Sequence, residues 1–116
     1  MKRAVEEGGD YVTHDLAFHL GLLQASRNRM LHQMSRALGA LLRTSFEIST
    51  RLHDGPRNSL AMHRAVLDAV IAHAPDDAER AVRRLIAGAH DDIERVLATR
   101  RKLPSLSQPA SRLKAA

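Results

Sequence analysis

An aspartate and a histidine four residues apart, Asp15 and His19, are the side chains in this sequence best placed to do chemistry. On a helix that spacing sets carboxylate and imidazole one turn apart on the same face. Val12, Leu16, Leu22 and Leu23 share the face, so both polar groups point toward whatever the helix packs on. Burying them without partners is costly, and they must pair, meet polar groups from elsewhere, or hold an ion or a ligand. A second histidine, His63, falls on another apolar stripe with Val66, Leu67 and Val70. Asp15, His19 and His63 together offer oxygen and imidazole nitrogen donors suited to Zn, Ni or Mn. His90, four residues after Ile86 and three before Ile93, sits at the edge of a third stripe and is the further candidate. The alternative is that Asp15 and His19 form a satisfied buried couple, and spacing alone leaves both readings open.

Other polar residues carry less. His14, His32, His53 and His73 fall on polar faces or in turns and read as solvated surface. Arg43, Ser45 and Ser49 are placed to line a pocket for a carboxylate-bearing ligand, although an exposed helix end explains the same residues. The chain of 116 residues has no cysteine, which excludes disulfides, thiolate metal sites and a cysteine nucleophile. No Gly-rich phosphate loop and no catalytic serine signature is present. The net charge of +5 permits nucleic-acid binding, but the arginines are spread over every segment and interleaved with acids. Arg100, Arg101 and Lys102, the densest run, read as favourable charge at a helix C-terminus.

These residues need elements to hold them, and the composition says which kind. With 44% hydrophobic but only 3% aromatic residues, the chain favours helices packed on helices around one core. Residues 2–7 read as the last turns of a helix stopped by Gly8 and Gly9. Asp10 then caps a helix over Tyr11–Ala25, and Asn28 caps another from about Arg29 to Thr50, with Leu31, Met34, Leu38, Leu41, Leu42 and Ser45 at helical spacing. His53, Asp54, Gly55 and Pro56 signal a turn before a helix from about Ser59 to His73. Pro75 opens the last helix, about Asp76 to Arg101, whose stripe is Ala78, Val82, Leu85, Ile86, Ala89, Ile93, Val96 and Leu97. An all-α antiparallel helical bundle over residues 1–102 follows, with a disordered tail over residues 103–116.

The segments from Gly9 through Asp15-Leu16-Ala17-Phe18-His19 to Asn28, from Met62-His63 to Val70, and Pro75-Asp76-Asp77-Ala78 carry a family likeness. Over about Ala4 to Leu97 the chain resembles the C-terminal effector-binding domain, the FCD domain, of GntR-family transcriptional regulators of the FadR subfamily. The resemblance implies a helical bundle that forms a homodimer, binds a small organic or sugar acid, and relays this to an N-terminal winged helix-turn-helix domain that grips DNA. It also implies a divalent metal held by an Asp and a His of the first motif, a His of the second and a last His on the final helix. The first three fall on Asp15, His19 and His63. By register the fourth lies near Leu85, which cannot coordinate, and His90 is five residues further on. Either His90 substitutes through a shifted helix, or three protein ligands hold the ion, or the site is a metal-free polar pocket. Arg43 to Arg51 resemble the branch whose effectors are sugar acids such as galactonate.

No winged-helix sequence precedes this stretch, and the chain reads as a fragment or a truncated gene product whose DNA contacts are made only through a domain it lacks. No stretch suits a membrane span and no signal segment opens the chain, so a cytoplasmic, non-membrane protein is expected. The rivals are a small metal-dependent helical enzyme and a plain dimerising bundle without ligand. Metal-assisted hydrolysis needs a general base beside the ion, and the apolar stripes offer no inward Glu or second Asp, so no enzymatic activity is expected.

Overall fold

The structure, a computed structural model, describes residues 1–52 and 54–102, and it is built from helices alone among those residues. The expected tail over 103–116, and His53 of the expected turn, lie outside the described residues. Five helices follow in order: α1 (Lys2–Glu7), α2 (Tyr11–Ala25), α3 (Arg29–Ser49), α4 (Gly55–Ile71) and α5 (Pro75–Lys102).

Four of the five helices begin at a side-chain cap or a proline, and α1, which follows Met1, has neither. Asp10 accepts from the Thr13 backbone N–H at 3.0 Å and from the Thr13 hydroxyl at 2.6 Å, which starts α2. Asn28 Oδ1 accepts from Met30 N and Leu31 N at 3.0 and 3.3 Å, which starts α3. Gly8, at φ 74°, closes α1 in the left-handed conformation that glycine adopts without strain. The helix over Tyr11–Ala25 has the expected limits, but α4 begins four residues before the expected Ser59. Gly55 and Pro56 are its first turn and not a connection, because the fixed φ of proline is already helical and its missing N–H costs nothing there. At its other end α4 stops at Ile71, and His73 takes φ 52° as the chain reverses into α5.

Two hairpins result, α2 with α3 and α4 with α5, and contact of α3 with α5 joins them into one antiparallel bundle. α1 rests on α4. The core is Val66 of α4 with Ala81 and Leu85 of α5, against which Phe18, Leu22, Met62 and Val82 pack. α4 and α5 come so close at Gly88 that an added Cβ would lie 2.9 Å from the Met62 terminal methyl. The apolar stripes are wider than their partners: Met34, Leu41, Leu67, Val70, Ile86 and Leu97 are exposed despite lying at core spacing.

Candidate functional site

α2 and α4 meet through their polar residues. One turn apart on α2, Asp15 and His19 face His63 of α4, and the three donor atoms converge. His63 Nε2 lies 2.8 Å from Asp15 Oδ1 and 3.2 Å from His19 Nε2, while His19 Nε2 is 3.3 Å from Asp15 Oδ1. Asp15 and His63 are each only 3% exposed. Both phenylalanines of the chain fix the rings: Phe18 meets the edge of His63 at 5.0 Å and of His19 at 5.6 Å, and Phe46 lies 5.0 Å from His19.

The other nitrogen of His63 decides what this cluster requires. Nδ1 lies 2.7 Å from the Ser59 carbonyl oxygen, one turn back on α4, and a carbonyl only accepts, so Nδ1 carries the hydrogen and donates it. The Ser59 hydroxyl, 3.2 Å from the same nitrogen, supports the ring from the same side. In the neutral ring Nε2 therefore presents a lone pair to a carboxylate oxygen at 2.8 Å and to a second imidazole nitrogen. His63 Nε2 and Asp15 Oδ1, two acceptors 2.8 Å apart, cannot face each other unless a proton or a cation lies between them, and His19 Nε2 either joins as a further lone pair or, in its N–H tautomer, donates to one of them. Burial pushes the Asp15 carboxyl up, but the hydrogen bonds and charge of His19 and His63 outweigh this and hold it below its ordinary value.

The donor set fits a divalent ion. Metal bonds of about 2.0–2.2 Å from carboxylate oxygen and imidazole nitrogen place neighbouring donors roughly 3.0–3.4 Å apart, close to the spacing of these three atoms. A ligating imidazole ordinarily donates its remote N–H to a carbonyl or carboxylate, and the Ser59 carbonyl fills that position.

The cluster opens onto a cavity of about 340 Å³ enclosed by α2, α3, α4 and α5. Leu22, Leu42, Met62, Val82, Leu85 and Ile93 make its walls, with Ser45 and Ser49 on the α3 side. Both serine hydroxyls donate to carbonyls of their own helix, Ser45 to Leu41 at 3.0 Å and Ser49 to Phe46 at 3.2 Å. Arg43 is not brought to the cavity. It is exposed, 3.4 Å from the Thr13 hydroxyl and 4.0 Å from Glu47. His90 reaches the cavity's edge but stays outside the three-donor cluster, with its exposed ring 3.6 Å from Asp91 and 3.8 Å from Glu94. Leu85, 4% exposed, fills the wall at the fourth-ligand register.

The FCD domain family model matches residues 1–88, about three quarters of the chain and all of α1 to α4. The chain belongs to the FCD domain family. This places it among the effector-binding domains of GntR-type regulators, which are regulatory and not catalytic. The match includes Asp15, His19, His63 and Leu85 and stops before His90. Comparisons with curated proteins and with solved structures find no match.

Three residues of this FCD domain's site escaped the sequence reading. Ser59 carries its signal in being four residues before His63. Tyr11 lies four before Asp15, on the same face of α2. Asp92 lines the cavity seven residues after Leu85, at core spacing on α5, and accepts from Arg95. Heptad spacing from Leu85 marks it, although its carboxylate reads as surface charge in a helix rich in ion pairs.

Proposed function

We propose that this FCD domain is the ligand-sensing module of a GntR-type transcriptional regulator. It binds a small carboxylate beside a divalent ion, Zn, Ni or Mn, held by Asp15, His19 and His63. It acts as a homodimer and controls operator binding by a winged-helix domain that is not among these residues. The observation that carries the reading is the hydrogen bond from His63 Nδ1 to the Ser59 carbonyl, which turns the Nε2 lone pair toward Asp15 and His19.

When bound, the ion supplies a positive centre with open positions for oxygen donors of an effector. The protein residues do the rest. Asp15 contributes the negative charge, the Ser59 carbonyl fixes the His63 tautomer, and Phe18 and Phe46 hold both rings against rotation. Because the donors come from α2 and α4, occupancy ties one hairpin to the other, and an effector in the cavity touches all four long helices. A change in their packing is the signal available to an attached DNA-binding domain. Among the described residues, the other carboxylate lining the cavity, Asp92, is engaged by Arg95, which favours effector binding over metal-assisted catalysis with a carboxylate base.

Thermal melts test the reading. A site that exists only in the folded chain stabilises it by about 2.7 kcal/mol when free ion reaches 100 times its Kd. Zinc is expected to raise the melting temperature, EDTA to reverse the rise, and His63→Ala to abolish it. A zinc shift that survives His63→Ala removes His63 from the site.

A further inference from the structure

The cavity beside the three donors has walls that discriminate among carboxylates. We infer that its effector is a monocarboxylate with an apolar body, of the medium-chain aliphatic acid type, and not a polyhydroxylated sugar acid. The inference rests on the reading of Asp15, His19 and His63 as an ion site.

Charge is the first argument. Among the described residues, no Lys or Arg lines the cavity, and Arg43 faces Thr13 and Glu47 outside it. A divalent ion on Asp15 leaves one net positive charge, which one carboxylate neutralises. A second anionic group would find no Lys or Arg in the lining, and the guanidinium beside it, Arg95, is already paired with Asp92. Uncompensated charge in such surroundings is strongly disfavoured.

Hydrogen bonding is the second argument. A sugar acid carries a hydroxyl on nearly every carbon, and each needs a partner when it leaves water. The hydroxyls in the wall are already engaged as donors: Ser45 with the Leu41 carbonyl, and Ser49 and Thr50 with the Phe46 carbonyl, Thr50 at 2.7 Å. The Ser59 hydroxyl is turned to His63. Apart from the acceptor lone pairs of these hydroxyls and Asp92 and His90 in the lining, what remains is the aliphatic surface of Leu22, Leu42, Val82, Leu85 and Ile93, with Ile86 at the solvent edge. An alkyl chain gains from that surface, whereas a row of hydroxyls meets there more aliphatic wall than partners for the water it loses. The volume, about 340 Å³, lies at the small end of the range of about 300–1,000 Å³ for small-molecule sites.

The consequence is a chain-length dependence that a polar site would not give. Burying one methylene is worth about fourfold in affinity. Calorimetric titration of the full chain in zinc-containing buffer with butanoate, hexanoate, octanoate and galactonate is the test. Affinity is expected to rise roughly fourfold per methylene from butanoate until the cavity fills, with galactonate weaker than hexanoate. Ile86→Gln, at a position 61% exposed and therefore harmless to folding, is expected to weaken octanoate about three- to tenfold while leaving the zinc-induced rise in melting temperature unchanged. Galactonate binding as tightly as hexanoate, or no gain from butanoate to octanoate, overturns the inference, and an intact zinc shift then leaves the ion site standing. A chain that zinc does not stabilise refutes the ion site itself, and the inference falls with it.

Discussion

The hydrogen on His63 Nδ1 is placed by a single backbone carbonyl, and everything proposed for the site depends on that placement. Were Ser59 turned away, neutral Nε2–H could donate to Asp15 and the cluster would be a satisfied polar couple with no need of an added proton or cation. That distinction was not legible in the sequence, which brought Asp15, His19 and His63 to apolar faces by their spacing but not the orientation of a carbonyl one turn away. Tyr11 was missed for a similar reason, since its apolar ring accounts for its position without reference to its hydroxyl. That hydroxyl is buried with no well-formed hydrogen bond, and burial pushes the phenol up to about 12, with the Ser59 hydroxyl close enough to offset part of the shift. Tyr11 is the only tyrosine in the chain, so phenolate absorbance reports it alone. Titration of the folded protein is expected to show a midpoint near 12, and a midpoint near 10 would mean that the ring is solvated. Because the folded value is raised, stability is fully present below pH 10 and is lost as pH rises from 10 toward 12, by up to ~3 kcal/mol. Tyr11→Phe is expected to remove that part of the alkaline loss in denaturation curves.

At the scale of elements, limits set by local chemistry were readable and limits set by geometry were not. Asp10 and Asn28 announce the starts of α2 and α3 because their side chains accept from the next turn whatever the rest of the chain does. Asn28→Ala is expected to destabilise the fold by about 1 kcal/mol in urea unfolding, with an unaffected midpoint showing that α3 starts without its cap. The opposite case is Gly55-Pro56, a pair that signals a turn in most settings and here begins a helix. His73 likewise continues the helical pattern of α4 in sequence, yet lies past its end in a left-handed conformation. There the reversal into Pro75 overrides local preference. The stripes of α3, α4 and α5 were read correctly as apolar, but reading a stripe does not reveal how much of it a neighbour covers.

That uncovered surface is a property of the whole molecule. Met30, Met34 and Leu41 lie along one side of α3 and are 64%, 45% and 68% exposed, and Ile71 on α4 is 64% exposed. Apolar surface of this kind on a small domain is the kind that an interface covers, and the proposed homodimer places it against a second copy. Sedimentation velocity is expected to show a dimer that dissociates on Met34→Glu with Leu41→Glu, while circular dichroism stays helical. A monodisperse monomer for the unaltered chain would count against the dimer without touching the ion site. For the ion site the most direct measurement is the zinc retained per chain after equilibrium dialysis, by elemental analysis of the wild type, Asp15→Asn and His63→Ala, each checked for helicity. The expected result is close to one zinc per wild-type chain and a marked loss in both variants; a folded wild type that retains none, or variants that retain as much, would contradict the account.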